Sequence, residues 1–325
     1  MSNFEVYKKT LSFSLIGFLV DLLTLIIFLG LCVAGFFIFN KSTDMALLGL
    51  LIGALVSIPF LVLISIFISN RIKAAQISMM TYGVVDGKLP DDTFKAGFRE
   101  IKGRFGKITT FFLITHLIKS VFNQLSRAIN RLGTAIGGDA GNAVTSTIDA
   151  AIQILIGYLC DCCLGWVLYR KEVNGFKAGC EGAVIFFKHG KTLIRNIGRI
   201  FGMGALSLVV IGGAFFGITY LISNQFPQFF DTFAAEITEF VTRNNFENFP
   251  AALQDPKILI LVFSGVIGVV IWGMIHSVLI RPFILVGVLR NFMAAGIADI
   301  PTEEQFAELE KLSPRFTKMR NRANA

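Results

Sequence analysis

Apolar residues run along this chain in stretches too long for the strands or half-buried helices of a soluble fold. A helix needs roughly 20 apolar residues to cross a bilayer core about 30 Å thick. Residues 11–39, 46–69, 200–223 and 258–280 meet that length comfortably. A fifth stretch, 146–169, is long enough but carries Asp149 and Asp161. A sixth, 108–131, is apolar from Ile108 to Ile118 and then turns amphipathic. Phe122, Leu125, Ile129 and Leu132 form one stripe, and Lys119, Asn123, Arg127 and Arg131 lie off it. The pattern predicts an all-α polytopic membrane protein: a single domain over 1–300 with six transmembrane helices in three hairpins.

The basic residues decide whether 108–131 crosses. If it does, and the N-terminus lies inside, inner segments hold 24 of the 30 Lys and Arg. Outer segments hold Lys41, Arg127, Arg131, Arg243 and Lys257, and Lys119 lies within the span. That bias obeys the positive-inside rule. If the stretch does not cross, the block from Arg170 to Arg199 moves outside and the bias weakens badly. Six spans in the plasma membrane with both termini cytoplasmic is therefore the expectation. Composition agrees: 54% hydrophobic and 16% charged, against roughly 25% charged in soluble domains. The net charge of +8 needs no nucleic acid, because basic inner loops facing anionic headgroups account for it. The Lys8-Lys9 pair before an apolar run loosely resembles a signal peptide, but the run to Phe39 reads as the first span.

Each hairpin is followed by a cytoplasmic stretch, and two of these open alike. One reads Phe94-Lys95-Ala96-Gly97, the other Phe176-Lys177-Ala178-Gly179. The first and third hairpins also end alike, Tyr82 to Asp86 then Pro90 to Phe94, and Gly296 to Asp299 then Pro301 to Phe306. These matches point to a threefold internal repeat. Within 94–105, Phe94, Phe98, Ile101 and Phe105 recur on one helical face among basic residues. The expected basic, interfacial amphipathic helix sends Phe toward acyl chains. Its basic residues Lys95, Arg99, Lys102 and Arg104, with Lys188, Lys191, Arg195 and Arg199 in the second segment, are candidate headgroup contacts. Packing of the same face on neighbouring helices is the alternative.

The outer segment 224–257 has Phe226, Phe229, Phe230, Phe233, Ile237, Phe240 and Val241 on one face and Asp231, Glu236 and Glu239 on another. It reads as an amphipathic helix, either a lid or docking element or a helix resting on lipid. Pro282 falls where the last span would leave the bilayer, so a kink is expected, with the run Phe283 to Ala295 turning along the interface. In 301–325, Thr302 and Gln305 fit a capping box opening a short acidic helix to about Leu312. After Ser313-Pro314 the basic tail is expected to be mobile and held by charge.

Ionisable residues inside spans are costly and face a bundle interior or a wet cavity. Asp21, His116, Lys119 and Asp161 all fall roughly 12–16 Å from the cytoplasmic edge at about 1.5 Å per residue. The candidate is an intramembrane polar layer with Asp161 reaching His116 or Lys119. It reads as a cation or proton path, as a structural ion pair, or, for Asp21, as an interfacial residue. His276 reads as interfacial. Cys160, Cys162 and Cys163 are too close in a helix to converge on one zinc ion, so no metal and no cofactor is expected. Pairs of Gly four apart, Gly49 with Gly53 and Gly213 with Gly217, let helices approach closely within one bundle or between protomers. The Gly-rich stretch 133–141 follows no strand and reads as a loop.

The span layout and the two Phe-Lys-Ala-Gly segments resemble bacterial six-span membrane families, among them the membrane domain attached to some glycerophosphodiester phosphodiesterases. That resemblance implies a six-span membrane domain over 1–300. The chain carries no catalytic phosphodiesterase domain, so the activity does not follow. Cys162-Cys163-Leu164 and the stretch Ala183 to Arg199 resemble pieces of choline-transporter-like proteins, with different spacing and fewer spans, and no site residue carries over. The motifs of nucleotide and hydrolase sites are missing. The expectation is a non-enzymatic subunit or scaffold of a membrane assembly, with a protein partner or a second copy of itself. A small-solute or ion transporter is the alternative.

Overall fold

The computed structural model describes residues 1–43, 46–105, 113–121, 123–124, 142–194, 197–243 and 250–324, and the regular structure among them is helical. In chain order the helices are α1 (Asn3–Thr43), α2 (Ala46–Ile64), α3 (Asn70–Val85), α4 (Thr93–Phe105), α5 (Asn142–Tyr169), α6 (Gly175–Ile194), α7 (Ile197–Ser207), α8 (Gly213–Ser223), α9 (Pro227–Arg243), α10 (Pro256–Ile275), α11 (Arg281–Ala298), α12 (Glu303–Leu312) and α13 (Pro314–Asn324). Residues 113–121 form a further helical stretch. π-Helical turns at Ser65–Ser69, Leu208–Gly212 and His276–Ile280 join α2 to α3, α7 to α8 and α10 to α11. The chain divides into two compact units: residues 1–16, 70–201 and 281–325, and residues 17–69 and 202–280.

Among the described residues, four helical runs are long and apolar enough to cross a membrane: Asn3–Phe39, Leu48–Val85, Gly202–Ser223 and Pro256–Ala298. They mark an integral membrane protein. Between 6% and 22% of each run's most apolar window is buried within the chain. The rest is bare hydrocarbon of the kind that faces lipid, such as Leu55 and Val209 at 65% and 72% exposed.

The second unit, residues 17–69 and 202–280, is held by close helix crossings. A Cβ on Gly35 would overlap the Gly49 carbonyl, and one on Gly53 would overlap the Leu31 carbonyl. The Gly49/Gly53 spacing therefore serves the α1–α2 crossing, where backbone packs on backbone. Gly213 and Gly217 meet nothing within 4 Å. Asp255 caps α10 by accepting the Lys257 N–H at 2.9 Å, with Pro256 at the first helical position. The outer amphipathic helix is α9. Its Phe230, Ala234 and Ile237 pack on Leu259 and Ile260 of α10, while Phe226 and Phe229 stay exposed.

The other unit, residues 1–16, 70–201 and 281–325, has a dense interior. Its centre is α3, α5 and α11, each packed on the other two. Gly165 of α5 sits where a Cβ would lie 2.7 Å from Thr81 of α3 and 3.0 Å from Leu289 of α11. Trp166, Leu168, Ile77, Met80 and Phe292 are almost fully buried there.

The repeated tetrapeptide is the first turn of an N-capped helix. Asp92 accepts the Lys95 N–H at 3.0 Å and Asn174 the Lys177 N–H at 2.8 Å. Ala96 and Ala178 are buried, and Gly97 and Gly179 face neighbouring elements closely. The repeat thus encodes capping and close packing.

Several expectations change. The fifth stretch lies within α5, whose part Ile156–Tyr169 is apolar, with Leu159, Cys162, Cys163, Trp166 and Val167 buried in protein. A helix covered by other helices on all sides is apolar all round, as a span is, so hydropathy does not separate the two. Of 108–131, residues 113–121 and 123–124 are described. Ile114, Leu117, Ile118 and Val121 are buried on one face, the period of an amphipathic helix in a protein core. The Gly-rich stretch 133–141 lies outside the described residues.

In α4, Phe94 and Phe98 pack on Phe13 with ring centroids 4.9 and 6.3 Å away, so this aromatic face is turned to protein instead of acyl chains. Pro282 lies inside the continuous helical run Pro256–Ala298. The π turn His276–Ile280 immediately precedes Pro282, a common site for absorbing a missing donor. The C-terminal tail is no mobile segment. It forms α13, with Phe316 and Met319 fully buried and packed on α6. Arg320 holds Glu310 and Glu303 at 2.6 and 2.7 Å. The Thr302/Gln305 capping box and the helix to Leu312 are observed.

Candidate functional site

Asp161 lies on α5 where that helix meets α3 and α11. Its carboxylate takes the Lys73 Nζ at 2.7 Å and an Arg281 guanidinium N–H at 2.8 Å. Each of the three central helices supplies one member of this triad. The Asp161 side chain is 7% exposed, whereas Lys73 and Arg281 are 39% and 34% exposed. The anion is thus inside and the cations form the open side. The Arg281 guanidinium lies 5.6 Å from the Tyr158 ring, a cation–π contact that fixes its plane. The Arg281 Nε is buried without a hydrogen-bond partner among the described residues.

The expected Asp161 partners were His116 and Lys119. Both are exposed, and Asp161 is satisfied by helices distant in sequence. The expectation leaned on the tendency of sequence neighbours to pack together. Here a partner 120 residues away wins. Asp21 lies in the second unit, half-buried in α1, and has no partner among the described residues. His276 packs its ring 5.2 Å from Trp272. Lys73 and Arg281 had one signal in the sequence. Each follows within a turn of the end of an apolar run, 46–69 or 258–280.

A second buried carboxylate, Glu181 of α6, is 2% exposed. It accepts the Trp166 indole N–H at 2.9 Å and the Arg170 fork at 3.1 and 3.2 Å. The Glu181 carboxylate is thus met by one indole and a two-pronged guanidinium, and Arg170 also pairs with Glu172.

The candidate headgroup contacts divide. Lys95, Arg99 and Lys102 point out of α4 and are exposed. Lys95 pairs with Asp92 at 3.0 Å. Arg104 does not face lipid: it donates to the Val167 and Arg170 carbonyls at 2.9 and 3.0 Å, closing the C-terminus of α5. Burial pulls its guanidinium pKa below the ordinary value. Lys188 pairs with Asp299, whose carboxyl is held below its usual pKa by that contact, with His189 adding to it. The side chains of Lys191, Arg195 and Arg199 lie outside the described residues.

All five cysteines are free thiols. Burial pushes the Cys180 thiol up to about 12, which makes it inert. Among the described residues no three His, Cys, Asp or Glu side chains gather as a metal ion would require. On α9 a shallow groove of about 670 Å³ runs past Ala234, Thr238, Glu239, Gln254 and Pro256.

No family model, curated protein or solved structure matches this chain.

Proposed function

We propose that this protein is a non-enzymatic, multi-pass scaffold or subunit of a plasma-membrane assembly. Four spans anchor it, and its basic segments lie on the cytoplasmic side with both termini. The carrying observation is the charge partition. Residues 1–16, 70–201 and 281–325 contain 27 of the 30 Lys and Arg, and residues 17–69 and 202–280 contain only Lys41, Arg243 and Lys257. Four spans with an inner N-terminus put every one of the 27 on the inner side, and those flanking the apolar runs, Lys8, Lys9, Arg71, Lys73, Arg195, Arg199, Arg281 and Arg290, follow the positive-inside rule. Exposed Lys95, Arg99 and Lys102 then face anionic headgroups or an acidic partner.

The transporter reading keeps one supporting residue, Asp21, half-buried in an apolar helix. Asp161 supports it less, because two cations already neutralise it. Labelling with a membrane-impermeant maleimide tests the topology. Cysteine introduced at Lys177 should stay unlabelled in intact cells and become labelled on lysis, and cysteine at Gln228 should label from outside. Labelling of position 177 from outside would overturn it. Mass measurement after gentle solubilisation tests the role. A stoichiometric partner or second copy supports a scaffold. A lone monomer whose proteoliposomes carry a flux lost in Asp21→Asn would replace it with the transporter.

A further inference from the structure

We propose that Lys73 and Arg281 bind a phosphate-bearing anion on the open side of the Asp161 triad. Two cations share one carboxylate, so the cluster carries one uncompensated positive charge. No second Asp or Glu pairs with either cation among the described residues. A partly buried charge left unmatched is costly, and such sites recruit a counter-ion.

The geometry says from which side. Asp161 is closed off at 7% exposure, and the cations are each more than a third exposed, so an approaching ligand meets donors only. Donors are also in surplus. Lys73 has three N–H groups and Arg281 five, and one of each is used on Asp161. The Arg281 Nε is unused. Gly157 adds no side chain beside that guanidinium; a Cβ there would lie 3.6 Å from its terminal nitrogen. Tyr158 holds the fork in one plane.

A planar fork beside a point-charge ammonium matches a tetrahedral oxyanion with several acceptor oxygens better than it matches chloride. Lys73 and Arg281 each follow an apolar run within a turn. On the proposed topology that is headgroup depth, so a phospholipid phosphate is one source and free phosphate the other. The site itself lies within one unit and does not depend on that topology.

The test is binding to the full chain purified in a neutral detergent. Native mass spectrometry counts bound phosphatidylglycerol, and thermal unfolding follows inorganic phosphate. Wild type should retain one phosphatidylglycerol or shift its melting temperature upward in phosphate. Lys73→Met leaves Asp161 and Arg281 balanced and should weaken binding by about tenfold or more, while Lys73→Arg should keep it. Asp161→Asn raises the uncompensated charge and should tighten binding even if the protein melts earlier. Lipid retention without a phosphate shift assigns a headgroup site, and a shift with phosphate alone assigns a soluble anion. Affinity unchanged in Lys73→Met, or weakened in Asp161→Asn, overturns the proposal, as does no binding of either probe.

Discussion

Removing Arg170 should be far more damaging than removing the carboxylate it holds together with it. Glu181 is 2% exposed and Arg170 16%. The guanidinium makes a two-pronged contact to Glu181 at 3.1 and 3.2 Å, and it lies 5.7 Å from the Trp166 ring. In Arg170→Met the carboxylate keeps one neutral donor, the Trp166 N–H at 2.9 Å, and loses its countercharge. Breaking one side of a buried pair costs about 3–5 kcal/mol. In Arg170→Met/Glu181→Gln the stranded charge is gone, and the amide oxygen still accepts the Trp166 N–H that an apolar residue would leave without an acceptor. The double variant should therefore recover most of the loss. Glu172, also paired with Arg170 but 56% exposed, should matter by less than about 1 kcal/mol when changed to Ala. A Trp272→Phe background leaves Trp166 as the single indole of the two. Its fluorescence during thermal unfolding in detergent then reports this unit. A double variant as unstable as Arg170→Met would refute the reasoning, as would an equal loss in Glu172→Ala.

Gly53→Ala drives a Cβ into the Leu31 carbonyl, whereas Gly213→Ala meets nothing. The first should lower the melting temperature of detergent-solubilised protein by several degrees, and the second should leave it level or slightly raised. Phe316 is fully buried beneath α13, so Phe316→Ala should cost about 3–5 kcal/mol of local stability. Trypsin should then cut at Arg315 and Lys318, and Cys180, 1% exposed in the intact protein, should become open to thiol reagents. The Asp299 carboxyl is held low by its contact with Lys188. A depressed carboxyl stabilises above its unfolded pKa and ceases to do so as pH falls through its folded value. The Lys188–Asp299 contact should persist at neutral pH and open only as pH falls below the ordinary Asp range, and Lys188→Ala should move the NMR-detected Asp299 titration upward.

The fold class was legible because four apolar runs announce themselves by length alone. Residues 156–169 of α5 were not separable from them: Leu159, Val167 and Leu168, buried in protein, look the same in a hydropathy plot whether lipid or protein surrounds them. The capping box at Thr302 and Gln305 was readable because its hydrogen bonds are local. The docking of Phe316 was not, since a tail rich in Arg and Lys reads as solvated unless its two apolar residues are given a groove in α6. The site divided in the same way. Asp161 stood out as a carboxylate in an apolar run. Lys73 and Arg281 did not, because a basic residue at the end of an apolar run is already explained by the positive-inside rule. Arg104 carries no local sign in the sequence that the carbonyls of Val167 and Arg170 at the end of α5 lie within its reach.

The triad bears on the choice between scaffold and transporter. Alternating access requires packed helices to shift against each other. Here each of α3, α5 and α11 contributes one charged group to a single cluster, so moving any one of them away separates Asp161 from a cation. With the exposure of Lys73 and Arg281 discounted, that separation costs on the order of 1–3 kcal/mol. Such a penalty makes the opened arrangement roughly 5- to 150-fold rarer. Turnover could tolerate it only if a ligand compensated in the opened state. An anion held by the free donors of Lys73 and Arg281 would act in the opposite sense. It would bridge α3 and α11 and tighten the three-helix centre, the behaviour expected of a body that must hold its shape while others assemble on it.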